Sequence, residues 1–456
     1  MLRQPPLPDV SFALRVSPPN TKQLRRGLFV SNDNRLQELA SSVVDNAADN
    51  AAVTACDAPP NGGLRAWLQV AGSFFLFFNS WGVVNTFGVF QSYYEVFFAG
   101  KATPSDISWI GSIQSFLLMF LGVAAGPLYD SGYFYVLIGI GTCLVVFGLV
   151  MTSLCVEYWQ VILAQGLCTG IGTGCFYVPA IAILPQYFST RKALATGLAA
   201  SGSSLGGIIF PIVFRQLEPA IGFGWTTRLL ALISLVTCLL SISVMRTRLI
   251  PQQKRSFLEL SAFRETPYMF FCAAMFFGNI GFFGPLFYVQ TYVIQTRIAS
   301  RNLSFYLLPM LNAASIPGRI VPGFFAGKIG PLNVLLPAAT ITGILTLCWI
   351  GIHNTPGIVL FSVLYGFFSG GFVSLPGTAL ASLTPDLARL GTRIGMYSMI
   401  CSIGSLVGAP ISGAILGDTG SFLGLQLFSG TTMFLTGVLL LVTRISREGP
   451  KIRVNI

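Results

Sequence analysis

Long apolar runs, nearly free of charge, recur along this chain from Trp67 onward, at 67–90, 107–127, 134–153, 159–184, 193–214 and 228–245. A charged interval at 246–267 interrupts the series, and six more runs follow at 268–293, 304–326, 333–352, 357–382, 394–416 and 422–443. About 20 apolar residues in a helix cross the hydrocarbon of a bilayer. The pattern predicts an all-α membrane protein with twelve transmembrane helices in two pseudo-symmetric six-helix bundles. Residues 1–63 are rich in Pro, Asn, Asp and Ala and read as a disordered tail. The remaining divisions are bundles over 64–245 and 268–443, a linker over 246–267 and a short tail over 444–456.

Repeated small-residue spacing supports two related halves. The fourth run carries Gly170-xxx-Gly174, then Phe176 and Pro179; the tenth carries Gly366-xxx-Gly370, then Phe372 and Pro376. Gly202-xxx-Gly206 with Pro211 in the fifth run matches Gly404-xxx-Gly408 with Pro410 in the eleventh. This spacing puts two small residues on one helix face, where membrane helices pack closely. Its recurrence in corresponding helices indicates duplication.

Composition agrees with the pattern: 53% of the residues are apolar and only 9% are charged, against about 25% charged in a soluble domain. Nine cysteines without a CxxC pair, and the single histidine His353, offer neither a zinc site nor a Cys/His nucleophile. No enzyme activity and no cofactor are expected. The net charge of +11 raises nucleic acid as a partner, but its placement points to topology instead. With a cytosolic N-terminus, 21 of the 27 Lys and Arg residues fall on cytosolic segments, as the positive-inside rule requires. Both termini are then cytosolic, and the glycosylation sequon at Asn302 falls outside. The plasma membrane is the expected location, with a vacuolar or other organelle membrane as the alternative.

Two stretches carry a family resemblance. The first runs from Pro60-Asn61-Gly62-Gly63-Leu64-Arg65-Ala66-Trp67 into Phe78-Asn79-Ser80-Trp81-Gly82 and Asn85-Thr86-Phe87-Gly88-Val89-Phe90-Gln91. The second is Tyr187-Phe188-Ser189-Thr190-Arg191-Lys192-Ala193-Leu194-Ala195-Thr196-Gly197. Together they resemble the monocarboxylate porter family of the major facilitator superfamily, especially its fungal branch, over about 65–443. The superfamily's Gly-x-x-x-Asp-x-x-Gly loop is partly kept at Gly126, Asp130 and Gly132; its second copy has Gly327 where the aspartate belongs. The resemblance implies that Asp130, with Arg191, contributes to cytosolic gating.

Arg319 is the one charge deep within an expected helix. An arginine at depth costs about 2.5–3.5 kcal/mol on insertion scales, so it faces a cavity or a partner, snorkels, or caps carbonyls around Pro317 and Pro322. Its planar fork suits a carboxylate, and the resemblance makes this the family's anion-binding position. Asn85, Asn279 and Asn312 are the polar side chains best placed to join it at a substrate site. The family's animal members have an acid where Ser315 stands and a lysine where Asn85 stands, so their proton-symport chemistry is not supported here. The expected function is secondary active transport, by alternating access, of an organic acid or a carboxylated or aromatic metabolite. One alternative is export of a secondary metabolite or toxin from a biosynthetic cluster. Another is a non-transporting nutrient sensor on the same fold. The expected partners are a small organic anion or amphipathic metabolite and the lipid bilayer, with the chain working as a monomer and without nucleic acid.

Overall fold

A computed structural model of the chain describes residues 61–188, 191–248, 259–384 and 390–449. The expected tail through residue 60, the middle of the linker and the last seven positions lie outside these. Ten segments are helical, long and apolar enough to cross a membrane. One of them, Lys192–Val244, is two helices, because Gly222 breaks it at φ 79° and ψ 165°, a conformation essentially confined to glycine. Another helix, Arg301–Ile329, has the length, but Arg319 and three prolines make it less apolar. Twelve crossing helices result among the described residues. They are α1 (Leu64–Phe97), α2 (Pro104–Asp130), α3 (Phe134–Thr152), α4 (Tyr158–Gln186), α5 (192–221) and α6 (223–244) in the first half. The second half holds α7 (Thr266–Thr296), α8 (Arg301–Ile329), α9 (Pro331–Cys348), α10 (Thr355–Leu383), α11 (Leu390–Thr419) and α12 (Phe422–Glu448).

Local chemistry sets the helix starts at the end remote from the linker. Thr103 and Asp106 form a reciprocal capping box ahead of Pro104 on α2. Ser300, Asn354 and Ser421 cap α8, α10 and α12 through their side-chain oxygens. Each cap satisfies a backbone N–H that has no acceptor inside its own helix. Helix α1 is not one rod but three pieces, Leu64–Asn79, Trp81–Asn85 and Phe87–Phe97. Its bends lie at Ser80 and Thr86, where serine and threonine hydroxyls return to carbonyls of the preceding turn.

The paired glycine motifs do the same job in both halves. Gly170 and Gly174 seat α4 on α2 against Gln114, Leu117 and Leu121, while Gly366 and Gly370 seat α10 on α8 against the carbonyls of Leu311 and Ser315. Gly202 and Gly206 seat α5 on the Phe74 and Phe78 carbonyls of α1; Gly404 and Gly408 seat α11 on the Phe276 and Ile280 carbonyls of α7. At each of these eight positions a Cβ would meet a neighbouring helix at or inside van der Waals distance. Close approach of this kind replaces the hydrophobic driving force that lipid removes. The halves meet along α2 with α11, α5 with α8, and the outer part of α1 with α7. Val136, Ile140 and Phe147 on α3, Leu232, Val236 and Leu239 on α6, and Phe434, Val438 and Leu441 on α12 remain exposed, forming apolar faces for lipid.

The two stretches that carry the family resemblance touch one another. The Asn61 amide donates to the Tyr187 carbonyl at 2.9 Å, and the Trp67 and Phe188 rings meet edge-on at 5.2 Å. Beside them the Tyr187 hydroxyl donates to the Arg246 carbonyl at 2.7 Å. Burial pushes this phenol above its ordinary range, against the opposing pull of the Arg248 charge.

Candidate functional site

Helix α8 places Asn312, Ser315 and Arg319 on one face, three and four residues apart. That face meets α5 where its sequence is smallest, Ala200-Ser201-Gly202-Ser203-Ser204-Leu205-Gly206-Gly207. The Asn312 amide lies over Gly207, where a Cβ would come within 2.6 Å of it. The Ser315 and Ser204 hydroxyls share a hydrogen bond of 2.6 Å. One turn nearer the linker end, Arg319 Nη1 donates to the Ala200 carbonyl at 2.7 Å and to the Ser203 hydroxyl.

Arg319 is 6% exposed and lies ten residues before the end of α8, about 15 Å along the axis. A guanidinium has five N–H donors. Nη1 is occupied by α5, Nε is buried with no partner, and Nη2 makes no hydrogen bond among the described residues. The free Nε–Nη2 edge can take a carboxylate through two parallel bonds. Among the described residues no Asp or Glu pairs with this cation; carboxylates instead meet the buried Arg393, which holds Glu259 at 3.1 Å and the exposed Glu265 at 2.5 Å. The arrangement is a positive charge inside the bundle, held by neutral dipoles, with donors to spare.

The other expected site residues are distributed. Asn312 shares the Arg319 face and donates to the Leu308 carbonyl at 3.0 Å. Asn279 is half-buried on α7 and donates to Met275 at 2.8 Å. Asn85 is buried at the second bend of α1 with no amide partner among the described residues. No hydrogen bond joins Asn85 or Asn279 to Arg319. Arg191 is exposed at the start of α5. Asp130 is the last residue of α2, and its side chain lies outside the described residues. Asn302 is exposed and accepts from Arg215 of α5 at 3.1 Å.

Sequence reasoning missed a second constellation, at the end remote from the linker. There the Glu95 carboxylate of α1 accepts from the Gln91 amide at 2.8 Å and from the Thr291 hydroxyl of α7 at 3.0 Å. Ser92 and Thr291 hydroxyls stand 3.2 Å apart. Tyr288 donates to the Pro104 carbonyl at 3.2 Å, Ser105 to the Pro410 carbonyl at 2.9 Å, and Gln216 meets the Tyr306 hydroxyl at 3.0 Å. Phe87 and Phe287 pack ring to ring at 4.9 Å just inside. Apart from the Gln91–Glu95 bond within α1, each of these contacts crosses between halves, so this end is closed. The spacing of Gln91 and Glu95 was a readable helical pair; its partner on α7 was not.

Comparison with known proteins adds the lineage. The family model described as Major Facilitator Superfamily matches residues 69–355 and 313–455. The chain is 44% identical to the MFS-type transporter dbaD of Emericella nidulans, over 84% of this chain and 86% of that protein. It is 42% identical to the aspyridones efflux protein apdF of the same fungus, over 88% of this chain and 82% of the relative. The agnestins efflux protein AgnL12 of Paecilomyces divaricatus is 38% identical, over 84% and 88% respectively.

Proposed function

The chain belongs to the major facilitator superfamily of membrane transporters, and from that premise we propose that it exports an acidic secondary metabolite by alternating access. The observation that carries this reading is the unneutralised Arg319, with two donor positions unoccupied inside the bundle. A buried cation with a ready partner would be structural; this one is held by a carbonyl and a hydroxyl and keeps a free edge. Relatives named as efflux proteins for aspyridones and agnestins favour export over nutrient uptake.

The two halves would rock about the α5–α8 and α2–α11 seams, exposing Arg319 alternately to either side. Asn312 and Ser315, on the same face, would orient the bound acid, with Asn85 and Asn279 lining the approach. Asp130 and Arg191 would act at the linker end, taken as cytosolic from the distribution of Lys and Arg. We place the protein in the plasma membrane as a monomer with both termini inside.

Flux through proteoliposomes tests this reading. Aromatic and aliphatic carboxylates should be transported, and their methyl esters should not. Arg319→Gln should lower carboxylate flux by about 10- to 100-fold, the loss expected for charge-assisted hydrogen bonds. Equal flux of every acid through wild type and Arg319→Gln would refute an anion site at Arg319.

A further inference from the structure

Tyrosines buried among these helices place their hydroxyls on a partner. Tyr94 donates to Gln165 at 2.6 Å, Tyr268 to the Arg393 carbonyl at 3.1 Å, Tyr292 to Ile352 at 2.9 Å and Tyr365 to Phe282 at 2.8 Å. This is the rule for a phenol removed from water. Tyr177 and Tyr397 depart from it. The Tyr177 hydroxyl makes no hydrogen bond among the described residues, although its half-buried ring is wedged against both apolar cores. The Tyr397 hydroxyl, in a residue only 7% exposed, has only the adjacent Ser398 hydroxyl in reach. They belong to opposite halves, α4 and α11, and lie near enough to interact electrostatically with each other and with Cys401.

Aromatic surface frames these donors. Trp81 of α1 meets Tyr177 edge-on at 6.3 Å and 73°, and Tyr397 packs against Phe271 at 5.9 Å. The frame also connects to the cation. Gly82, next to Trp81 in the chain, packs so tightly on α5 that a Cβ there would lie 3.3 Å from the Ser203 carbonyl. The hydroxyl of the same Ser203 holds Arg319. A ring wall and two phenol donors therefore lie at the seam between the halves, and the α1–α5 contact beside Trp81 leads to the carboxylate anchor.

We propose that Trp81, Tyr177 and Tyr397 form a docking site for a planar aromatic system bearing hydroxyl or keto oxygens, so that the exported acid is a phenolic or enolic aromatic acid. This rests on the reading of Arg319 as the acid's anchor. The Tyr177 and Tyr397 hydroxyls donate to ring oxygens, and Trp81 packs against the ring. An aliphatic acid satisfies Arg319 but offers neither phenol a ring oxygen; discrimination comes from those unmade bonds.

Calorimetric titration of the full-length protein in lipid nanodiscs tests the assignment, with 1-hydroxy-2-naphthoate, 2-naphthoate and decanoate as probes. Hydroxynaphthoate should bind the wild type most tightly, and Tyr177→Phe and Tyr397→Phe should each weaken it by about five- to tenfold. Both variants keep the ring and its packing, and 2-naphthoate, which lacks the hydroxyl, should bind them as it binds the wild type. Failure of hydroxynaphthoate to bind the wild type overturns the proposal, as does equal binding of decanoate or no effect of either Phe variant. Arg319→Gln separates the two readings. If it leaves hydroxynaphthoate affinity unchanged while the Phe variants lower it, the anion anchor fails and the aromatic site stands. If it abolishes affinity for all three acids while the Phe variants do nothing, the aromatic site alone fails.

Discussion

Arg319 is held by α5 yet has no counter-charge among the described residues, and these two facts predict opposite effects on stability. Its bonds to Ala200 and Ser203 tie the halves together, whereas desolvating an unpaired arginine costs about 2.5–3.5 kcal/mol on insertion scales. Hydrogen bonds from a charged donor contribute about 1.5–3 kcal/mol each, so the two bonds roughly offset the desolvation term. Arg319→Met should therefore shift the melting temperature by no more than about 5 °C while acid transport falls; scanning fluorimetry on the purified variant measures this. A drop of more than about 5 °C would mean that the guanidinium is mainly structural. Arg319 was legible in the sequence because a lone charge in an apolar run has no neutral explanation. Its partners were not, since Ser203 and Ser204 look like any small residues that let helices pack. The sequence reading favours Asn85 as a site residue over Asn79, six residues before it in the same run. In the structure Asn79 turns to Thr237 of α6 at 2.8 Å, a packing role, while the Asn85 amide makes no hydrogen bond among the described residues. Tyr177 and Tyr397 were visible as polar residues, but what distinguishes them is the lack of a partner on another helix among the described residues, and that requires coordinates.

Helix identity was set by runs of apolar residues, so all twelve could be read, whereas breaks within helices depend on single backbone angles. The boundary between α5 and α6 was expected near 214–228 and is instead one residue, Gly222, at φ 79°. A Cβ there has open space but the wrong backbone region, so Gly222→Ala should cost about 1–3 kcal/mol through strain alone. At the glycine seams the cost has the opposite cause, lack of space rather than backbone strain. At Gly206 a Cβ would lie 2.6 Å from the Phe78 carbonyl, while at Gly126 nothing lies within 4 Å. Gly206→Ala should destabilise by about 1–3 kcal/mol through forced separation of α5 from α1, and Gly126→Ala should be neutral or slightly stabilising. Thermal unfolding of the three variants in one detergent compares them directly. Equal effects at Gly206 and Gly126 would show that α5 does not depend on close approach to α1. The glycine motifs were readable because their spacing recurs in both halves. The three-part α1 was not, since Ser80 and Thr86 are common inside straight membrane helices.

At the scale of the whole molecule, the contacts between halves at the end remote from the linker involve polar groups that can part without leaving a buried charge unpaired. Ser92, Glu95 and Thr291 exchange hydroxyl–hydroxyl and hydroxyl–carboxylate bonds between α1 and α7, and the Glu95 carboxylate keeps its bond from Gln91 on the same helix. Opening this end therefore costs a few net hydrogen bonds, each about 0.5–1.5 kcal/mol, plus the apolar contact of Phe87 with Phe287. A closure of that size can be reversed by the differential binding of a substrate. Ser92 and Thr291 side-chain oxygens are 3.2 Å apart, so cysteines at both positions are placed to form a disulfide across the seam. Mild oxidation of the Ser92→Cys, Thr291→Cys double variant should stop transport, and reductant should restore it. The single variants and the wild type, with its native cysteines, should be insensitive to the same treatment. Arrest would show that transport requires α1 and α7 to separate at this end. Continued flux through a fully cross-linked protein would mean that substrate passes without that separation, and rocking about the α5–α8 seam would have to be abandoned as the mechanism.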